Sequence, residues 1–315
     1  MVYVETMKVV ITGALGHIGS RLIRELPGAE VVILDDLSTQ RYVSLFDLPK
    51  HSRYHFHQVD VRTVDLEPFF TGADAVIHLA ALTDAASSFE RAEQVEEVNF
   101  GATVRVAEAC AAAGAPLLFL STTSVYGTQN EIVDEDCGES ELQPQSPYAV
   151  SKLRAERALT ELGATRGLRF VTCRFGTIFG ISPGMRFHTA VNKFIWQACL
   201  GIPITVWRSA LDQRRPYLDL SDAVRAIALI LDRKLFDNRV YNVLTLNATV
   251  REIVDAIRAH VPDLVTELVD SRIMNQLSYT VSDARFRAAG FDVRGDLQRG
   301  VAETVELLRG LVPSH

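Results

Sequence analysis

Tyr148-Ala149-Val150-Ser151-Lys152 sets a phenol and an ammonium four residues apart, which puts both on one face of a helix. A neighbouring ammonium favours phenolate, so the spacing predicts a tyrosine pKa lowered toward working pH. Such a tyrosine can take the proton of an alcohol while a hydride leaves the same carbon. Alone the pair is a weak signal, because surface pairs share its spacing. A hydroxyl-rich run precedes it, Leu120-Ser121-Thr122-Thr123-Ser124-Val125-Tyr126-Gly127. Those hydroxyls either hydrogen-bond a reacting oxygen or merely cap the exit from a strand.

A hydride needs an acceptor, and the N-terminal region offers a place for one. Gly13-Ala14-Leu15-Gly16-His17-Ile18-Gly19 has GxxGxxG spacing, directly after an apolar run and opening a helix. Gly13 permits the tight turn, Gly16 lets backbone approach a pyrophosphate, and Gly19 lets the helix pack closely on the sheet. The helix start, with His17 and Ile18, adds free N–H groups and a positive dipole end. Asp35 ends the next strand, 16 residues after Gly19. A carboxylate there accepts both ribose hydroxyls and repels a 2′-phosphate, which favours NAD over NADP. Asp60, followed by Val61, either accepts the adenine amino group or caps a strand end.

The elements that must position these groups alternate. Apolar runs at 8–12, 31–35, 75–79, 116–121 and 169–173 read as strands, and 54–61 as a further, more polar one. Helical stretches read over 17–25, 93–113 and 148–162. Near-continuous apolar strands separated by helices predict an α/β fold, a Rossmann-type doubly wound parallel sheet. Such sheets bind ligands at the carboxyl ends of their strands. The pattern loosens after residue 176. Helices then read over 189–200, 221–232, 250–260 and 301–308, beside short strands such as 204–207. The chain is therefore read as a dinucleotide-binding domain over 1–176 and a smaller α/β domain over 177–315. Elements around 215–243 are expected to return to the large sheet.

Composition excludes other classes. In 315 residues, 48% are apolar and 23% charged, which argues against disorder. The net charge of −7 argues against a dedicated nucleic-acid partner. No apolar run reaches the roughly 18 residues of a membrane span, and the N-terminus lacks the order of a signal peptide. Cys110, Cys137, Cys173 and Cys199 lack paired spacing and read as reduced thiols of a cytoplasmic protein. Neither they nor His51, His55 and His57 have the spacing of a metal site, so no metal is expected.

These residues resemble the extended short-chain dehydrogenase/reductases, in the nucleotide-sugar epimerase and dehydratase branch. The likeness covers most of the chain. It includes the glycine loop, Leu34-Asp35-Asp36-Leu37-Ser38, His78-Leu79-Ala80-Ala81, Asn99, the Ser121-to-Gly127 run, and Tyr148 with Lys152. Further on come Arg174-Phe175-Gly176-Thr177-Ile178-Phe179-Gly180, Arg215-Pro216-Tyr217-Leu218-Asp219 and Tyr241-Asn242-Val243. The resemblance implies a catalytic trio of Thr122, Tyr148 and Lys152. Asp35, Asp36, Leu37, Ser38, Leu79, Ala80 and Ala81 would line NAD, with Tyr148 and Lys152 reaching the nicotinamide end. Arg215, and more loosely Arg272, would pair with the diphosphate of a nucleotide-sugar substrate. Trp207 stands near where relatives place an aromatic by the nucleobase, though core packing explains it equally. Asn99 matches a structural position. Relatives commonly form homodimers through two helices of this kind, and the alanine-rich face around Ala107, Ala111 and Ala112 suits close packing of either sort.

Departures from the family narrow the chemistry. The 4,6-dehydratases carry Asp-Glu after the catalytic Thr, whereas this chain has Thr123-Ser124, neither of which ionises near neutral pH. Plain hydride chemistry at an alcohol carbon remains, which is what a 4-epimerase needs. Thr177 stands where most hexose epimerases carry Asn. UDP-glucuronate epimerases look similar here, with Thr177, the Thr122-Thr123-Ser124 run and a following arginine, Arg186. These residues would hold a C6 carboxylate; a solvated or intersubunit Arg186 is the alternative. The expectation is an NAD-dependent 4-epimerase for a UDP-hexuronate or UDP-hexose. A ketoreductase, or a dehydratase with its acid at Asp84 or Glu90, stands as the other reading.

Overall fold

A computed structural model describes residues 6–85, 87–127, 132–270 and 278–310. The chain runs β1 (Lys8–Thr12), α1 (His17–Leu22), β2 (Glu30–Asp35), β3 (Arg53–Gln58), α2 (Glu67–Phe70), β4 (Ala75–His78), α3 (Ala92–Val95), α4 (Ala102–Ala113) and β5 (Leu117–Thr122). It continues through β6 (Ile132–Val133), α5 (Pro147–Arg166), β7 (Phe170–Phe175), β8 (Thr177–Phe179), α6 (Ala190–Cys199), β9 (Ile204–Trp207), β10 (Arg214–Asp219) and α7 (Leu220–Arg233). Last come β11 (Val240–Val243), β12 (Leu246–Thr249), α8 (Val250–Arg258), β13 (Thr266–Val269), β14 (Thr280–Val281), α9 (Ala284–Ala288) and α10 (Leu297–Leu308).

Seven parallel strands make one sheet in the order β11-β7-β5-β4-β1-β2-β3. Strand pleating sends alternate side chains to opposite faces. Val9, Ile11, Val31 and Ile33 therefore pack with Leu22, Ile227 and Ile230 of α1 and α7. Val10, Val32 and Val76 pack on the other face with Val106, Ala107 and Leu159 of α4 and α5. Each such side chain contributes about 1.5–3 kcal/mol on burial. Ala107 is thus a core residue, whereas Ala112 is exposed. β11, at one edge of this sheet, pairs with β7 in parallel. Among the described residues three small sheets follow, β12-β10-β8, β13-β9 and β14-β6; α6, α8 and α10 share a core with β8, β9, β10 and β12.

Two elements differ from the sequence reading. The third strand stops at Gln58 rather than reaching Val61. Asp60 folds back, its carboxylate accepting the Arg62 backbone N–H at 2.9 Å, and this turn ends the ladder. The helix read over 93–113 is broken by a π-helical stretch, Glu96–Gly101. The wide turn carries Asn99 inward, where its amide accepts from Leu82 N at 2.8 Å and donates to Leu82 O at 2.9 Å. Among the described residues no helix is long and apolar enough to cross a membrane.

The chain leaves β1 toward β2 and β3, then crosses back to β4 and β5. The crevice at their carboxyl ends is the topological switch point of the sheet. Gly13 lies there with φ +65, and a Cβ on it would sit 2.5 Å from Ala80 Cα. A Cβ on Gly19 would sit 2.5 Å from Ala14 O, which fixes how closely α1 approaches its own loop. Gly19→Val must therefore push α1 off the loop. Chemical denaturation should show a loss of about 1–3 kcal/mol, and an unchanged midpoint would contradict this packing.

Candidate active site

Four strand ends deliver the cleft residues. β1 brings the glycine loop, β4 brings Leu79-Ala80-Ala81, β5 brings Thr122, and β2 brings Asp35. Asp35 braces the loop from below. Its carboxylate accepts Leu15 N at 3.1 Å and Leu37 N at 3.0 Å. Burial raises its pKa above the usual carboxylate range, and those two N–H bonds pull it back. Exposed Asp36 accepts Ser38 N at 2.9 Å, and buried Leu37 takes a left-handed φ of +59. Gly16 is the N-cap of α1. Ile18 packs on the core of the α1 face, and Val61 lies in the core of the other face.

His78 ties β4 to β1. Its Nδ1 lies 2.7 Å from Thr12 Oγ1 and its Nε2 lies 3.0 Å from Thr103 Oγ1. Thr103 donates its own proton to Asn99 O at 2.5 Å, so its oxygen must accept from Nε2–H. Nδ1 then accepts from Thr12, and the ring is neutral. Burial holds its pKa down at about 3, with the Lys152 charge acting the same way.

A segment from beyond β8 straps the glycine loop. His17 Nε2 donates to Gly180 O at 2.9 Å, Ser182 Oγ to His17 O at 2.8 Å, and Gly184 N to Ser20 Oγ at 2.9 Å. Arg41 donates to Gly184 O at 2.6 Å. His17 is therefore a loop anchor, and burial lowers its pKa to about 4. The strap ends at Arg186, whose Nη1 donates to Thr83 Oγ1 at 2.8 Å. Its Nε is buried without an acceptor among the described residues. Asn192, fully buried on α6, accepts from Gly180 N and donates to Arg186 O, so it holds both ends of the strap.

Tyr148 opens α5, after Ser146 caps the helix by accepting from Ala149 N at 3.2 Å and Pro147 fills its first turn. Thr122 Oγ1 accepts from Ser124 N at 3.1 Å, which leaves its proton for the Tyr148 oxygen. Lys152, one turn on, donates to Leu120 O at 2.8 Å and lies 4.7 Å from the Phe119 ring centroid. Here the expectation of a lowered tyrosine pKa needs correcting. Burial pushes Tyr148 up to about 12, and the Thr122 hydrogen bond only partly offsets it. Burial also draws Lys152 down to about 7, with the Glu156 charge opposing. In this cleft desolvation outweighs the phenol–ammonium attraction, because both groups lie in low dielectric.

Glu156 is the residue the sequence reading missed. It stands four residues after Lys152, so the same i, i+4 spacing that links Tyr148 to Lys152 reaches it. It accepts from Ser121 Oγ and grips Arg174 through Nε and Nη2, at 3.1 and 2.6 Å. Arg174 Nη1 donates to Tyr126 OH at 3.0 Å, and Tyr126 donates to Asn242 Oδ1 at 2.9 Å. The motifs around residues 126, 174 and 242 are thus one buried network.

The remaining sequence candidates scatter more. Thr123 is buried and its hydroxyl donates to Phe175 O at 3.3 Å, while Ser124 is exposed. Thr177 opens β8 opposite Tyr217 of β10, half-buried. Arg215, on β10, lies over the Tyr279 ring at 4.9 Å and belongs to no ion pair among the described residues. Trp207 is half-buried at the end of β9, level with Val269. Asp60 is held by Arg62, whose Nε and Nη2 both reach its carboxylate, so it acts as a strand-end cap. Arg272 lies outside the described residues.

A tight left-handed turn, an acid at the second strand end and a crevice at the switch point suit a dinucleotide without a 2′-phosphate. Residues 9–243 match the family model described as the NAD dependent epimerase/dehydratase family. YtcB of Bacillus subtilis (strain 168), described as an uncharacterized UDP-glucose epimerase, is 31% identical over 239 residues, 72% of this chain and 73% of that protein. A trifunctional UDP-glucose 4,6-dehydratase/UDP-4-keto-6-deoxy-D-glucose 3,5-epimerase/UDP-4-keto-L-rhamnose-reductase of Arabidopsis thaliana is 28% identical over 95% of this chain. The chain spans only 46% of that relative's length. Solved structures of MoeE5, in complex with NAD and either UDP-glucuronic acid or UDP-glucose, align with a TM-score of 0.83. They cover 96% of this chain and 99% of theirs, at 29 and 30% identity.

Two buried neutral histidines give the fold a pH signature. Both His17 and His78 are held below the ordinary value of 6.5. Below pH 6.5 the unfolded chain binds protons that the native state refuses, so stability must fall from pH 6.5 toward 4. Each histidine contributes about 1.4 kcal/mol per pH unit to that slope. Denaturant titrations at pH 4.5, 5.5 and 6.5 should find His78→Asn shallower by one such increment; parallel slopes would show that His78 is not held neutral.

Proposed function

Because the chain belongs to the NAD dependent epimerase/dehydratase family, we propose that it is an NAD-dependent UDP-sugar 4-epimerase, with a UDP-hexuronate as its preferred substrate. One observation carries the reaction type. Thr122 and Tyr148 share a hydrogen bond at the cleft, Lys152 follows one turn on, and no carboxylate stands at positions 123 and 124. Elimination across C5 and C6 needs an ionisable base and acid beside the threonine. Thr123 is buried against Phe175 O and Ser124 is a plain hydroxyl, so oxidation and reduction at one carbinol carbon is the chemistry this site supports.

Bound NAD supplies a reversible hydride acceptor. Gly13, Gly16 and Gly19 shape its pyrophosphate site, Asp35 takes the adenine ribose, and Leu79, Ala80 and Ala81 wall the cleft. Tyr148 removes the proton of the sugar 4-hydroxyl, and Thr122 hydrogen-bonds the oxygen that carries the charge. Lys152, together with the positive nicotinamide of NAD when it is bound, would supply the charge that brings the buried phenol down from about 12 toward phenolate. Glu156, a further turn along α5, offsets the burial that would strip Lys152 of its proton. Arg215 holds the diphosphate firmly, while hydroxyls hold the sugar loosely. That contrast lets a 4-keto sugar turn about its tether before Tyr148 returns the proton.

The uronate preference rests on Arg186. Its Nη1 is fixed by Thr83, its buried Nε lacks an acceptor among the described residues, and burial lowers its pKa. An added carboxylate would satisfy that donor by a charge-assisted hydrogen bond. MoeE5, solved with UDP-glucuronic acid and with UDP-glucose, supports a UDP-sugar substrate of either kind.

Tyr148→Phe should keep NAD affinity within about twofold and lose at least roughly 10³-fold in kcat, the loss expected of an essential acid–base group. Product analysis with a panel of UDP-sugars and no added reductant tests the class. A 4-keto-6-deoxy product, or a requirement for reduced cofactor, would replace the epimerase by a dehydratase or a ketoreductase. Arg186→Ala should lower kcat/KM for UDP-glucuronate by about 10²-fold and leave UDP-glucose within a few-fold. Equal losses on both substrates would remove the carboxylate role.

A further inference from the structure

Arg215 and the Thr122–Ser124 run belong to different sheets, yet one side chain touches both. Tyr279 stands just before β14 and is buried, only 5% exposed. Its ring centroid lies 4.9 Å from Arg215 Cζ, a cation–π contact. Its hydroxyl donates to Thr123 O at 3.1 Å. That carbonyl also accepts Tyr126 N at 3.2 Å, so both of its lone pairs are used. The turn after β5 is therefore held at Thr123, and through Ser124 N it orients the hydroxyl of Thr122, whose backbone β5 places level with Phe175. Backbone contacts set Tyr279 as firmly, since its N–H donates to Arg214 O at 3.3 Å.

We propose that Tyr279 is a positioning residue that fixes the span between the diphosphate-holding arginine and the hydroxyls facing the sugar. The ring aims Arg215, and the hydroxyl holds the Thr123 turn that orients the Thr122 hydroxyl. This role rests on the nucleotide-sugar reading above and adds to it a residue with no motif of its own. A tethered substrate reacts only when its anchor lies the right distance from the proton acceptor. The two halves of Tyr279 therefore act on different constants.

Two variants separate them. Tyr279→Phe keeps the ring and removes the hydroxyl. UDP, titrated by calorimetry into the NAD-loaded protein, should bind within about twofold of wild type, while kcat falls roughly tenfold at little change in KM. Tyr279→Leu removes the ring, and the UDP dissociation constant should rise roughly tenfold. On an Arg215→Met background the same Tyr279→Leu change should add less than about twofold, because the ring then has no guanidinium to aim. A merely structural tyrosine would lower the melting temperature and multiply through in both backgrounds. An unchanged kcat in Tyr279→Phe, or a full tenfold effect in the Arg215→Met background, would overturn the proposal. Failure of UDP to bind the wild type would instead strike down the nucleotide-sugar reading, and this role with it.

Discussion

The cleft floor depends on one carboxylate. Lys152 and Arg174 are both buried beneath it, and Glu156 is the acid that serves both. A buried cation without a partner costs several kcal/mol, so burying either one alone would destabilise the fold, and Lys152 would also lose its proton more readily. Glu156 resolves this by pairing bidentately with Arg174 and lending its field to Lys152. Through Arg174 the constraint extends to Tyr126 and Asn242, which tie the end of β11 to the loop after β5. The strand that returns from the C-terminal region is thereby bound to the segment carrying Thr122.

A second constraint comes from close backbone contact. Gly13 lies against Ala80, and Gly184 lies against the carbonyls of Leu15 and Gly16. The dinucleotide loop is consequently held between the end of β4 and the strap that precedes α6. His78 secures the first contact through two threonines, and Asn192 secures the second. Both regions of the chain thus contribute to the mouth of one crevice, the C-terminal part reaching the glycine loop through Gly180, Ser182 and Gly184.

Much of this was legible from spacing. Apolar runs located β1, β2, β4 and β5 to within a few residues, because strands buried on both faces carry few polar residues. The GxxGxxG loop and Asp35 sit at consecutive strand ends, where local turn chemistry is encoded. Tyr148 and Lys152 share a face because helical period alone decides it. Less legible were the break at Glu96–Gly101, which follows from Asn99 reaching Leu82, and the early end of β3, which follows from Asp60 turning to Arg62.

By itself, then, the sequence determined most of the sheet, the glycine loop and the face of α5 that carries Tyr148 and Lys152, since each depends on neighbours within a turn or a strand. Tertiary structure decided the electrostatics. Whether Lys152 lowers the tyrosine pKa depends on how deeply both are buried and where the ammonium finds its acceptor, and only the packed cleft fixes these. It also chose the partners of Arg186, Arg215 and Asp60. Tyr279 meets Thr123 across 156 positions of chain. No periodicity encodes such a contact; it arises when separate sheets close on one another.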